Sequence, residues 1–118
     1  MWIQTNPNPC GRFVGDCVIR ACSIVLDQSW EQTYLELCIT GFEECDMPSA
    51  NHVWGRYLEK KGFESIPIKG GNIAVVAQQT HGRCILATGE HVVAVIDGNY
   101  YDAWDSGGEY PIYIWKEK

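Results

Sequence analysis

The chain is short of the features that would direct it to nucleic acid, membrane or metal. Basic residues are in deficit, nine Lys and Arg against fifteen Asp and Glu for a formal charge of −6, and they are scattered rather than gathered into a stripe that could follow a phosphate backbone. Nucleic acid is therefore not an expected partner. No stretch approaches the roughly eighteen consecutive apolar residues of a membrane-spanning helix. The opening MWIQTNPNPCGRF has no basic region followed by an apolar run, so it lacks the pattern of an export signal. A cytoplasmic protein without a membrane partner is the expectation. The six cysteines at 10, 17, 22, 38, 45 and 84 contain no CxxC pair, and no His stands where it would complete a tetrahedral site. Neither a metal nor another cofactor is expected, and without an export signal the cysteines read as reduced thiols rather than as three disulfides. Internal repeats and low-complexity segments are also missing.

What is present suits one compact core. The chain has 118 residues, 46% of them hydrophobic, with five Trp and six Tyr, enough for a single domain over residues 1–118 and too few for two. Residues 1–15, rich in Asn, Pro and Gly, read as an irregular entry segment. Asp16 then offers an N-cap for a helix from Cys17 to Leu26 whose only polar members are Arg20 and Ser23, so it should lie buried at the centre. Ser29 with Gln32 forms a capping-box pattern for a second helix running to Thr40, with Tyr34, Leu35, Cys38 and Ile39 as its inner face and Gly41 as its stop. Ser49 opens a third helix with Val53, Trp54, Tyr57 and Leu58 inward and Lys60, Lys61 and Gly62 at its end.

Thereafter the period shortens. Residues 63–68 read as an edge strand, because Pro67 cannot donate to a ladder on both sides, and Asn72 caps a short helix to about residue 79. Strand patterns follow at 84–87, 91–96, 100–104 and 110–115, with Asp97-Gly98 as a hairpin turn between the second and third of them. Helices first and a sheet afterwards make an α+β layout, with the buried helix packed on a C-terminal antiparallel sheet.

Cys17 stands in the first turn of that buried helix, where unpaired backbone N–H groups and the helix dipole favour a thiolate. His91 opens a strand of the hairpin and can face the helix N-terminus as the partner base. The orienting carboxylate depends on the turn. With the turn centred near Gly98, Asp105 falls opposite His91, and a three-residue turn would put it on the same face. Asp102 would then lie about 10 Å along the strand from His91, although a two-residue turn would bring it to that face. Asp105 is the favoured partner and Asp102 its rival.

Chain order Cys, His, Asp, carried by GDCVIRA at 15–21 and HVVAVIDGNYYDAWDSG at 91–107, resembles the papain-like cysteine peptidase superfamily, in particular its minimal members from bacteria and their phages. The resemblance implies a thiol hydrolase, a peptidase or amidase acting on a peptide, protein or amide substrate through a Cys-His-Asp triad and a covalent acyl-enzyme. Family members commonly hold a Gln six residues before the cysteine to stabilise the oxyanion. That position is Gly11 here, so the role passes to Asn8, Asn6 or Gln4, or to backbone donors. Two other functions fit the same layout: an acyl transferase of transglutaminase type, and a catalytically inactive binding or inhibitory module presenting rings such as Trp2, Trp30 and Tyr101.

Overall fold

The computed structural model describes residues 1–118. Ten elements follow one another: β1 (Trp2–Gln4), α1 (Cys17–Leu26), α2 (Trp30–Glu44), α3 (Asn51–Lys60), β2 (Phe63–Pro67), α4 (Ile73–Gln78), β3 (Arg83–Ala87), β4 (Val92–Ile96), β5 (Asn99–Asp102) and β6 (Tyr113–Glu117). The strands form one sheet in the order β1-β5-β4-β3-β6-β2, antiparallel throughout except where β1 runs parallel to β5. The α+β class expected from the sequence is what the chain adopts, with a mixed sheet in place of a purely antiparallel one.

Both faces of the sheet are covered. Val18, Ala21, Cys22 and Val25 of α1 pack with Ile85, Ala87, Val92 and Ala94 on one side, joined by Leu37, Trp54 and Leu58. On the other, Ile73 and Ala77 of α4 close over Leu86, Val93, Val95 and Ile114. Central strands covered twice are apolar on both faces, which is why β3, after its exposed Arg83, and β4 read as continuous runs rather than alternations. β2 lies at the sheet edge, as Pro67 requires.

Several elements depart from expectation for identifiable reasons. β1 emerges from the segment expected to be irregular, and three residues are too few to display a period; it pairs Trp2 with Tyr100 at the far end of the chain. The last strand begins at Tyr113 rather than residue 110, beyond Pro111, which has no N–H to give a ladder. Ser49 is not the cap of α3, whose N-cap position is Ala50 without a side-chain bond. In α2 the Ser29 hydroxyl accepts from Gln32 N–H as expected, but the Gln32 side chain turns to Glu36 instead of closing a capping box.

The inner face of α2 is the main correction. Leu35 and Ile39 are 63% and 58% exposed, whereas Thr33, Leu37, Thr40 and Gly41 face the core. Small residues let α2 approach its neighbours closely, and the Thr hydroxyls are satisfied within the helix by the carbonyls of Ser29 and Glu36. Gly41 does not stop the helix, which ends with Cys45 in the left-handed region. Its hydrogen is instead needed for space, because a Cβ there would stand 2.8 Å from the Asp46 carbonyl oxygen. Truncating Leu37 to Ala should therefore cost about 2–5 kcal/mol in urea unfolding, and Leu35→Ala no more than about 0.5 kcal/mol. Equal losses would contradict this packing of α2.

Candidate active site

The head of α1 is set by charge rather than by a hydroxyl cap. Asp16 occupies the N-cap position, yet its carboxylate makes no bond to the helix backbone. Its Oδ1 accepts from Arg20 Nη1 at 2.5 Å and its Oδ2 from Trp30 Nε1 at 2.9 Å. Cys17 follows as the first helical residue, where helix geometry gives its own N–H no intrahelical acceptor.

The hairpin turn decides which acid meets His91. Asp97 (φ 48°) and Gly98 (φ 89°) form a two-residue turn with both φ angles positive, and Ile96 pairs with Asn99, Val95 with Tyr100 and Ala94 with Tyr101. Continuing that register sets Asp102 opposite Val93, two residues or about 7 Å along the strand from His91, a gap the two side chains span. His91 Nε2 and Asp102 Oδ2 are 2.6 Å apart. Asp105, the favoured partner on the sequence, is instead engaged by the Tyr100 hydroxyl at 2.5 Å and by Gly107 N–H. Its preference rested on a turn one residue longer than the chain makes.

Asp102 is fully buried and fully occupied. Its Oδ1 accepts from Arg20 Nη2 at 2.9 Å and from Ala103 N–H at 2.8 Å, and its Oδ2 accepts from Ser106 Oγ at 2.6 Å. The sequence reading did not find Arg20 and Ser106. The available signal was a single Arg in an otherwise apolar helix, four residues after an Asp, since a buried guanidinium requires carboxylates. The ring of Trp104 lies 4.9 Å from that of His91, tilted over it. Trp2 and Trp30, expected as outward-facing rings, turn their indole N–H groups inward to the Asp102 carbonyl and the Asp16 carboxylate, and Tyr101 is half-buried.

With Nε2 committed to Asp102, His91 lines the same cleft as Cys17 and acts on its thiol electrostatically. Burial raises the Cys17 thiol pKa, but the hydrogen bond from His91, the Val92 N–H and the charges of His91 and Arg20 outweigh it and leave the thiol below its ordinary 9.0. Burial lowers His91, and the bonds to Asp102 and Cys17 overcome that and carry it up to about 9. Burial likewise raises Asp102, while the His91 and Ser106 bonds and the charges of His91 and Arg20 hold it below the usual carboxylate range. The two shifts run in the directions that favour a Cys17 thiolate beside a His91 imidazolium. Cys22 and Cys84 move the opposite way, pushed by burial to about 12 and about 11, as inert core thiols should be.

A cleft of about 790 Å³ opens at this pair, lined by Cys17, His91, Tyr34, Asn51, Trp54 and Trp115 among others. None of the oxyanion candidates Gln4, Asn6 and Asn8 lines it. The Asn6 amide donates to the Arg12 carbonyl, and Asn8 Oδ1 accepts from Cys10 and Arg12 N–H, so both shape the entry loop. Gln4 is taken into β1 opposite Asp102. Asn51 was not foreseen; its Oδ1 accepts from Trp54 Nε1 and its amide hydrogens remain for a ligand.

Iodoacetamide should alkylate Cys17 at pH 6, well below the range of an ordinary thiol, with a further change in rate near pH 9 as the imidazolium deprotonates. Asp102→Asn should lower the pH 6 rate at least about tenfold and destabilise the fold by about 3–5 kcal/mol. Asp105→Asn should leave that rate within about twofold, and equal effects of the two substitutions would refute the assignment. Stability follows from the same shifts. The raised His91 contributes fully below 6.5 and loses that contribution as pH climbs to about 9, whereas the lowered Cys17 contributes fully above 9.0 and loses it as pH falls. Below 9.0 the Cys17 slope opposes the His91 slope, so urea midpoints should fall less with rising pH in the unaltered chain than in Cys17→Ala, where only the His91 slope remains.

No family model matches the chain, and no curated protein or solved structure is similar to it.

Proposed function

We propose that the chain is a cysteine hydrolase of papain-like layout, cleaving an amide or thioester in a peptide, protein or small amide through an acyl-enzyme on Cys17. The single observation that carries this reading is the convergence of Cys17, at the head of α1, and His91, 2.6 Å from the buried Asp102, on one cleft of about 790 Å³. A merely structural His at a strand end has no need of a buried carboxylate on one nitrogen and a lowered thiol in the same cleft.

In the first half-reaction the Cys17 thiolate adds to the substrate carbonyl carbon, and the carbonyl oxygen becomes an oxyanion beside the Cys17 N–H. The C–N or C–S bond then breaks, and His91 delivers its Nδ1 proton to the departing amine or thiol. In the second, His91 takes a proton from water as that water attacks the thioester, and collapse returns the thiolate and a carboxylic acid. Asp102 keeps the ring oriented with Nε2–H directed at itself, stabilising the imidazolium without accepting its proton. Replacing water by an amine in the second step would give the transferase version of the same chemistry.

Incubation with a panel of p-nitroanilides and thioesters should yield turnover and, on acid quench, a mass increment equal to the acyl group on Cys17. Cys17→Ala should abolish both, and His91→Ala should lower turnover by about 10²–10⁴. A Cys17 that alkylates readily yet forms no acyl adduct with any member of the panel would favour a binding module on this scaffold.

A further inference from the structure

We propose that the cleft beside Cys17 selects substrates carrying an alkylammonium or guanidinium group near the attacked carbonyl, with Glu90 as the residue that reads the charge; this rests on the hydrolase reading above. The walls are suited to the stem of such a group. Trp115 and Tyr113 project from β6, whose register pairs them with Ile85 and Ala87, and Trp54 meets Trp115 edge-on at 5.7 Å between ring centres. Aromatic faces attract a cation, and the methylenes of a Lys or Arg chain lie favourably on apolar surface.

The charge pattern makes the selection one-sided. No Lys or Arg lines the cleft, so an anionic substrate group would find no cationic partner of that kind. The imidazoles that line it are already faced by acids: His91 by Asp102, and His52 by Asp46 at 2.6 Å and Glu44 at 4.0 Å. Asp16 is likewise matched by Arg20. Glu90 differs, since its carboxylate has neither a hydrogen bond nor an ion pair within the chain, only its backbone N–H being engaged, by Thr88 Oγ1. The 88–91 turn, in which a Cβ on Gly89 would touch Ile112 Cδ1 at 3.6 Å, carries Glu90 into the lining of the cleft that Tyr113 also lines. Behind it, Asp16 and Asp102 are matched by Arg20 and His91, so Glu90 carries the carboxylate left unmatched. Low-dielectric walls focus such a field onto whatever enters.

The test uses the full chain and two methanethiosulfonates of similar size, one ending in trimethylammonium and one in sulfonate. In each case the thiolate sulfur attacks the sulfenyl sulfur, forming a mixed disulfide and expelling methanesulfinate. Rates at Cys17, assigned by peptide mass and normalised to 2-mercaptoethanol, should favour the cationic reagent at least about tenfold. Glu90→Gln should cut that preference about threefold, and 1 M salt should shrink it further by screening. A normalised ratio near one, or a preference that Glu90→Gln leaves unchanged, overturns the proposal. Neutral iodoacetamide separates the two failures: a site without a reactive thiolate fails with that reagent at pH 6, while a site without charge selection fails only in the ratio.

Discussion

A carboxylate withdrawn from water must be surrounded by donors, and Asp102 has them on every side. Removing such an ion from solvent costs several kcal/mol even after relaxation, a loss offset only if its lone pairs are taken up with good geometry. Here Arg20, Ala103 N–H, Ser106 and His91 take up both oxygens, so the residue ties together three pieces of chain: helix α1, the entry to β4 and the 103–106 loop that follows Asp102 itself. Two of these are the pieces on which the proposed chemistry depends, helix α1 through Arg20 and the β4 entry through His91. The separation between the Cys17 sulfur and the imidazole is thereby tied to a buried ion network rather than left to loop packing.

The same residue joins the site to the fold. Its backbone carbonyl accepts from Thr5 N–H at 2.9 Å and Trp2 Nε1 at 3.1 Å, so the parallel strand β1 is fastened to the hairpin at the point where the hairpin carries its acid. Arg20 extends the network to Asp16, and Asp16 to Trp30 at the start of α2. The links through Arg20, Asp16 and Trp30 are charged or charge-assisted bonds inside the protein, where unpaired groups are costly, so a perturbation there reaches the head of α1.

Much of this was legible in the residues. The apolar composition of 17–26 and the acid before it located α1 to the residue, and the Asp97-Gly98 pair located the hairpin. Cys17 and His91 followed from those two placements. The identity of the acid was not legible, because it turned on one residue of turn length, and a shift of one residue along a strand reverses the face presented. The inner face of α2 was misread for a different reason: Thr33, Thr40 and Gly41 pack by being small, which hydrophobic periodicity does not register, while Leu35 and Ile39 supply an apolar stripe to solvent. Pairings across most of the chain, such as Trp2 with Tyr100 and Arg20 with Asp102, leave no local trace at all.

The central claim is that Cys17 and His91 rest as a thiolate-imidazolium pair held by Asp102, and the ring nitrogens of His91 report it most directly. In ¹⁵N-histidine-labelled protein at pH 7.5, both nitrogens of His91 should carry protons and the ring should titrate near 9, with a lower midpoint once Cys17 is replaced by Ala. A His91 that is neutral at pH 7.5, titrates near 6.5 and ignores the substitution would contradict the account.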